Sequence, residues 1–548
     1  MTRSVVWLLA AGVLALPGTG IAATLRTVPS SEATATAGRI DRLLESAWAA
    51  KGIQPATRAD DAEFLRRVYL DLAGRIPSVA EVRAFLADKQ DDKRRRLIAE
   101  LLERPTYSQH FTTVWRNLLM PEANSNFQTM FMVPGFEAWL RKQFDENVHY
   151  DVMVRELLTT TVGQDSMQSV YGRNANAKLT PIAFYMAKET KAENLASATA
   201  RVFLGIRLEC AQCHDHPFAE WKRDQFWSFA AFFGGMKGRD QGDGIRMPQA
   251  ETANVREIAI PGTSRQAPAT FPDGTLPQWK DKTATRQTLA DWVTGAENPY
   301  FAKATVNRVW AYFFGKGLVE PIDEMVGSQE TVAHHAELLD ELARSFVASG
   351  FNLKFLLETI VSTRAYQLTS GGGKSVTGEL YSRHPVRGLT AEQLFDSVAT
   401  ATGLGAAAPT SPGIFLVNDP NPRTEFLTKF GNQSERSTDH ETSILHALTL
   451  MNGKVIADAT NPEKSQLLAS VLDAPFFTTP TRIETFYLAT LSRTPTTKEL
   501  ARATDFLNNA TVAGGQATSG VELEKRTHAA LADILWSLLN SGEFLLNH

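Results

Sequence analysis

The feature that most constrains the fold is the spacing of the apolar side chains, which recur every three or four residues through most of the chain. Ile40, Leu44 and Trp48 follow this spacing, and the same pattern returns in the segment 192–209. Such a period places apolar side chains on one face of an α-helix, whereas a half-buried strand requires strict alternation. The sequence therefore predicts a mainly α protein, with 192–209 as one amphipathic helix that leads directly into two cysteines.

The length of the chain, 548 residues, exceeds what one compact core normally supports. We predict two helical domains joined by an irregular, partly β segment. The expected division is a signal peptide at 1–23, a first helical domain at 38–234, a linker with short strands at 235–284 and a second helical domain at 285–548. The linker is predicted from its content of Gly, Pro, Asp and Gln.

The first residues predict export. Arg3 precedes an apolar run from Val5 to Leu16, and small residues follow. This order is typical of a secretory signal peptide, and the run is short for a membrane span, which needs about 20 residues. We therefore expect a periplasmic or secreted protein with no transmembrane segment in the mature chain. The net charge of −4 gives no electrostatic reason to expect nucleic acid as a partner.

The chain contains two cysteines, and both lie in the stretch Cys-Ala-Gln-Cys-His. Cys210, Cys213 and His214 fit the C-x-x-C-H pattern of c-type haem attachment. In that chemistry two thiols one turn apart form thioethers with the haem, and the adjacent histidine binds the iron. The motif therefore predicts a haem c site.

Two other interpretations of this cluster stay open at the level of sequence. With Asp215 and His216, the residues Cys210, Cys213 and His214 also form a compact set of ligands for zinc or another transition metal. Ligands so close in sequence would be cramped, so a distant fourth ligand is expected. Exported cysteines also meet oxidising conditions, which favours a disulfide with the histidines hydrogen-bonded to the loop.

Further residues are candidate parts of a haem site. Candidates for a distal iron ligand are His110, Met186, Met236 and Met247. Aromatic side chains after the motif are candidates for a haem wall, although a stripe at helical spacing is more often simple core. They are Phe218, Trp221, Phe226, Trp227, Phe229, Phe232 and Phe233.

Several polar segments outside the motif have both a structural and a functional interpretation. Arg308 is predicted to tie helices together rather than to bind an anion, and His334 and His335 are predicted to form a solvent-facing helix cap. Two segments are candidate binding sites. They are a possible anion pocket with Arg383, His384 and Arg387, and a possible metal or substrate site, or helix cap, with Asp439, His440, Glu441 and His446.

Longer stretches resemble two known families. Segments 64–86, 97–115 and 203–233 resemble DUF1549, also called planctomycete cytochrome-like type 2, and segments 286–319 and 338–366 resemble the companion family DUF1553. Both families are of unknown function. The resemblance implies an exported protein of planctomycetes and related bacteria, associated with cytochrome c-like domains or with polysaccharide-degrading systems.

Three functions follow as hypotheses. The first is an exported cytochrome c-like electron-transfer protein with one haem, whose partners would be redox proteins or components of polysaccharide breakdown. The second is a non-redox binding or scaffold protein in which the cluster holds structural zinc or a disulfide. The third is a hydrolase-type enzyme with a cleft between the helical domains. No Ser-His-Asp signature, phosphate-binding loop or dinucleotide fingerprint is visible in the sequence.

Overall fold

The computed structural model of this chain is mainly α-helical, which confirms the predicted fold class. It describes residues 30–124, 127–163, 179–216, 219–240, 246–280, 283–326, 332–333, 335–371, 379–404, 422–430, 453–512 and 520–548. The predicted signal peptide, Phe218, His334 and the segment 437–446 lie outside the described residues. Among the residues described, no helix is both long enough and apolar enough to cross a bilayer.

The helices are mostly short and follow one another closely. In chain order they are α1 (Ser30–Lys51), α2 (Asp61–Ala73), α3 (Val79–Ala87), α4 (Lys93–Glu103), α5 (Pro105–Leu119), α6 (Phe127–Met130), α7 (Val133–Asp145), α8 (Tyr150–Thr159), α9 (Ile182–Ala187), α10 (Ala192–Thr199), α11 (Arg223–Ala230), α12 (Thr285–Val293), α13 (Phe301–Phe314), α14 (Ala336–Ala348), α15 (Leu353–Ser362), α16 (Ala391–Thr402), α17 (Pro422–Phe430), α18 (Lys454–Ala459), α19 (Gln466–Asp473), α20 (Thr479–Leu491), α21 (Thr497–Val512), α22 (Gly520–Leu539) and α23 (Gly542–Leu545). A π-helix covers Ala200–Leu204, and 3-10 turns cover Pro121–Asn124, Glu209–Gln212, Ala231–Phe233 and Glu379–Tyr381.

The strands in the described residues are short and pair only in antiparallel twos. They are β1 (Gly238–Asp240) with β2 (Arg246–Pro248), β3 (Glu257–Ala259) with β4 (Gln266–Pro268), β5 (Val319–Glu320) with β6 (Val332–Ala333), and β7 (Arg387–Gly388) with β8 (Leu546–Asn547). Because β1 to β4 lie in the irregular segment after α11, that segment is partly β, as predicted.

The helix predicted over 192–209 is broken, so that prediction is wrong. The α-helix ends at Thr199, a π-helix follows, and Gly205 stops it in the left-handed conformation with φ 63°. The amide of Ile206 donates to the carbonyl of Ala200, which closes the turn. The cysteines consequently lie on a separate 3-10 turn rather than at the end of a long helix.

Two hydrophobic cores hold the chain together. The first collects buried side chains mainly from α1 as far as the turn Glu379–Tyr381, on both sides of the partly β segment. The second collects mainly side chains from Leu389 to Phe544. Helix α2 contributes to both, since Phe64 and Val68 belong to the first core while Leu70 belongs to the second. It is therefore one of the elements at which the two cores meet, and α20 is another, since Leu488 belongs to the first core and Phe486 to the second.

Charged side chains of α2 are buried at this meeting point. Asp71 is 1% exposed and accepts hydrogen bonds from the hydroxyl of Tyr366 at 2.8 Å, from Arg387 at 2.7 Å and from the amide nitrogen of Asn547 at 2.7 Å. Arg67, also buried, donates to the carbonyls of Tyr366 and Leu368. Buried charges are tolerated when they are paired and hydrogen-bonded, which is the case here.

Candidate functional site

The two cysteines are exposed on one short turn. Cys210 lies within the 3-10 turn, Cys213 follows it, and both are free thiols accessible to solvent. Ala211 between them is fully buried and anchors the turn in the first core. Both sulfurs are therefore on the surface of a turn that is itself fixed.

Helix α11 holds the end of this turn. The indole N–H of Trp227 donates to the carbonyl of Gln212 at 3.0 Å, and Arg223 donates to the same carbonyl at 3.4 Å. The backbone amide of Arg223 also donates to Oδ1 of Asp215 at 2.9 Å. The carboxylate of Asp215 is therefore hydrogen-bonded to the first residue of α11.

The ring of His214 is exposed and has a defined tautomer. Its Nδ1 lies 2.7 Å from the carbonyl oxygen of Asp215. Since a carbonyl only accepts, Nδ1 carries the proton and donates it. In the neutral ring the lone pair is then on Nε2, which is the arrangement seen when a histidine binds a metal through Nε2 and donates through Nδ1.

His216 has the opposite arrangement. The backbone N–H of Ala219 donates to its Nδ1 at 2.9 Å, so this nitrogen accepts and the proton of the neutral ring is on Nε2. The backbone amide of His216 donates to the carbonyl of Trp221 at 2.8 Å. The structure thus distinguishes two histidines that the sequence presents as equivalent.

The segment after β5 braces the site from the other half of the chain. The amide of Met325 donates to the carbonyl of Gly205 at 2.8 Å. Arg207 donates to Glu324 at 2.9 Å, and the indole N–H of Trp221 donates to the carbonyl of Val326 at 3.3 Å. Both ends of the cysteine turn are therefore tied to residues more than a hundred positions away.

Arg308 belongs to the same brace. It donates to Asp323 at 2.5 Å and to the backbone carbonyl of Arg201 at 3.1 Å. The prediction that Arg308 ties helices together is confirmed by these contacts.

A carboxyl group lies next to the first cysteine. Burial raises the pKa of Glu209, and its Oε2 is buried without a hydrogen-bond partner. The nearest cation is Arg201, at 3.9 Å. Glu209 consequently resists ionisation and adds less negative charge beside Cys210 than an exposed carboxylate would.

The predicted metal ligands do not converge. In the described part of the chain, no three His, Cys, Asp or Glu residues form a group able to hold a metal ion. His214, Asp215 and His216 are instead each bonded to backbone groups of the loop. The zinc interpretation stays a prediction.

The aromatic stripe forms core. Phe226, Trp227, Phe229, Phe232 and Phe233 are at most 4% exposed, and Trp221 is 7% exposed. The ring of Phe232 stacks on Phe271 with centroids 5.0 Å apart. The structural interpretation of these side chains is confirmed.

The candidate distal ligands lie in separate parts of the fold. Met186 and Met236 are buried in the first core, while His110 is bonded through Nε2 to the hydroxyl of Tyr312 at 2.6 Å. Met247 lies in β2. We assign no distal ligand.

Other polar candidates have structural partners. Arg387 is paired with the buried Asp71, and His384 is fully buried between the rings of Phe314 and Tyr366. Among the residues that the structure describes, Arg387 and His384 therefore do not form an anion pocket. His335 occupies the N-cap position of α14 but makes no side-chain cap bond, so the predicted capping role is wrong for this side chain.

A small cavity lies between the two halves of the chain, and the sequence did not predict it. Its volume is about 60 Å³, and α5, α13, α16, β7 and β8 surround it. Its lining includes His110, Asn117, Arg387, Glu392 and Asn547. The sequence shows only that these positions are polar. It does not show that they line one cavity, because they lie up to hundreds of positions apart in the chain.

Replacing Gly205 with alanine is expected to destabilise the protein by about 2 to 4 kcal/mol. The left-handed backbone is unfavourable for alanine, and the new Cβ would lie 2.9 Å from the sulfur of Met325 and 3.3 Å from Cβ of Ala304. Gly52→Ala is the matched control, since Gly52 has φ 64° but no atom within 4 Å of such a Cβ. We expect chemical denaturation to show a smaller loss, about 1 kcal/mol, for the control. Equal losses of stability in Gly205→Ala and Gly52→Ala would show that the contact with Met325 does not add to the cost of the substitution.

Comparison with protein-family models gives two matches. Residues 39–237 match PSCyt2, described as a protein of unknown function (DUF1549), and residues 285–507 match PSD1, a protein of unknown function (DUF1553). These matches confirm the resemblance found in the sequence. Neither a curated protein nor a solved structure matches the chain.

Proposed function

We propose that this chain, which belongs to the DUF1549 family over residues 39–237 and to the DUF1553 family over residues 285–507, is an exported redox protein that carries one haem c. Cys210 and Cys213 are the attachment residues and His214 is the iron ligand. The observation that carries the proposal is the hydrogen bond from Nδ1 of His214 to the carbonyl of Asp215, beside two exposed thiols. The signal-peptide pattern at 1–23 supports export.

The side chains of Cys210, Cys213 and His214 fit a haem c group. Two accessible thiols on one turn suit covalent attachment, and a histidine whose Nε2 keeps its lone pair suits the iron. When bound, the haem supplies one-electron transfer. The chain holds it, while the carbonyl of Asp215 fixes the imidazole of His214 and Trp227 fixes the turn through Gln212.

The position of the motif suits exchange of electrons with another protein. Cys210, Cys213, His214 and Asp215 are all exposed. A group attached there would be accessible to redox partner proteins or to components of polysaccharide breakdown, the association that the family resemblance implies. The brace from Glu324 and Met325 keeps the turn in place.

The alternatives have less support. A structural zinc site needs about four converging ligands, and His216 uses Nδ1 to accept from the loop while the proton of its neutral ring is on Nε2. The hypothesis of a disulfide between Cys210 and Cys213 does not explain why a hydrogen bond to Asp215 fixes the tautomer of His214. A hydrolase needs a substrate cleft, and the cavity at the junction, about 60 Å³, is small beside ligand pockets of about 300 to 1,000 Å³.

Replacing both Cys210 and Cys213 with alanine is expected to abolish covalently bound haem. The wild-type chain and the variant are expressed with the leader in a bacterial host that attaches haem c. We expect the wild type to show a Soret band and an in-gel haem stain that survives denaturation, because thioethers hold the group. The variant should be colourless and show the same circular dichroism.

A second comparison controls for folding. Both thiols are on the surface, so the double variant should keep the unfolding midpoint of wild type measured without haem attachment. A wild-type protein that stays colourless in this host, or a variant that still stains, would contradict the proposal.

A further inference from the structure

The segment 324–326 of the brace holds the cysteine turn at three points. Its residues bond to Gly205 and Arg207, which precede the cysteines in the chain, and to Trp221, which follows them. Because the three links come from consecutive residues, a displacement of this short segment breaks the links on both sides of the turn together.

Met325 is the middle residue of this segment, and its side chain packs inward. A Cβ added at Gly205 would lie 2.9 Å from the sulfur of Met325 and 3.2 Å from its Cγ, so the thioether lies directly against the backbone of Gly205. The side chain also packs against the first core. The contact of an apolar group therefore helps to keep the segment in place, and a polar group at the same position would be unfavourable there.

Met325 is at the same time partly open to solvent. Among the methionine side chains that the structure describes, Met130 is 36% exposed and Met325 is partly exposed. The others are at most 7% exposed; they are Met120, Met132, Met153, Met186 and Met236. A reagent in solution therefore meets Met130 and Met325 before the methionines of the core.

The thioether of methionine reacts with peroxides. Hydrogen peroxide transfers one oxygen atom to Sδ: its O–O bond breaks, a sulfur lone pair forms the S–O bond, and the remaining oxygen leaves as water. The sulfur loses two electrons and the peroxide gains them. The product, methionine sulfoxide, is polar, and reductases return it to the thioether. The change at the sulfur is therefore reversible.

We propose that Met325 is an oxidation site through which peroxide releases the cysteine turn. The sulfoxide oxygen requires water or a hydrogen-bond donor, so the oxidised side chain leaves its contact with Gly205 and the segment 324–326 moves with it. The links to Gly205, Arg207 and Trp221 are then lost together. As a means of regulating the haem site this rests on the proposed function, whereas the oxidation and the release of the turn do not.

The test uses the full mature chain with Cys210→Ala and Cys213→Ala, so that peroxide acts on methionines rather than on thiols or haem. Peptide mass spectrometry locates the sulfoxides. Hydrogen exchange measures the protection of the turn, in which the amide of Ala211 donates to the carbonyl of Leu208 at 2.9 Å. We expect sulfoxide at Met325 and about tenfold faster exchange in the turn, because hydrogen bonds that hold it are lost. Methionine sulfoxide reductase should restore the slow exchange.

Three variants in the same background separate the effect of Met325 from general oxidation. Met325→Leu keeps an apolar side chain without sulfur, so peroxide should leave the exchange of the turn slow. Met130→Leu removes the more exposed methionine, on α6 and outside the brace, and should not change the response. Met325→Gln places a polar group at the same position, so its turn should exchange quickly without peroxide. This variant also keeps the test decisive if Met325→Leu misfolds.

Two results would overturn the proposal. One is a Met325 that stays unoxidised under conditions that fully oxidise Met130, and the other is a sulfoxide at Met325 that leaves the exchange of the turn unchanged. Neither result depends on haem. A wild-type chain that stays colourless in a haem-attaching host would contradict the proposed function alone, so the two failures are distinguishable.

Discussion

Replacing Asp71 with alanine is expected to lower the free energy of unfolding by about 3 to 5 kcal/mol. The carboxylate, 1% exposed, is the shared acceptor of Tyr366, Arg387 and Asn547. Its removal leaves a guanidinium, a hydroxyl and an amide without that partner where the two cores meet. Urea unfolding followed by far-UV circular dichroism measures the loss.

Two further variants separate this effect from simple loss of charge. Asp71→Asn keeps an acceptor oxygen but loses the charge, so we expect an intermediate loss. Asp224→Ala breaks an exposed pair with Arg265, in which each side chain is 56% exposed, and should cost less than about 1 kcal/mol. Losses of the same size for Asp71→Ala and Asp224→Ala would contradict the linking role of the buried carboxylate.

Replacing His214 with alanine is expected to remove most of the attached haem, while replacing His216 with alanine is expected to leave it. The reason is the tautomer of each ring: His214 donates through Nδ1 to Asp215, whereas His216 accepts through Nδ1 from Ala219. Only His214 presents an Nε2 lone pair for iron. We expect at least about a tenfold lower haem content in His214→Ala.

The two histidine variants are compared under one set of conditions. Haem per mole of protein is taken from the pyridine haemochrome spectrum of proteins expressed in the same haem-attaching host. His216→Ala is the matched control, because it removes an imidazole two positions away from the same loop. Equal losses in both variants would show that the ring orientations do not decide ligation.

The helical character of the chain could be predicted because it depends on local spacing. The capping box of α3, visible as Ser78 and Glu81 in the sequence, is present with both hydrogen bonds. The break at Gly205 could not be predicted in the same way. The carbonyl of Gly205 accepts from Met325, which is 120 positions further along the chain.

The candidate site could likewise be predicted from the sequence only in part. Cys210, Cys213 and His214 were found by their spacing, but the difference between His214 and His216 depends on which backbone groups the folded loop places beside each ring. The acceptor role of Asp71 depends on Tyr366, 295 positions away. Contacts of this range leave no periodicity in the sequence.

The most direct test of the central claim is the intact mass of the wild-type protein, exported by a host that attaches haem c and then denatured. Haem attachment predicts a mass increased by one haem and no thiol free to react, because Cys210 and Cys213 are the only cysteines. A chain without added mass would contradict it. In that case, two reactive thiols with bound zinc before denaturation would indicate a metal site, and the loss of two hydrogens would indicate a disulfide.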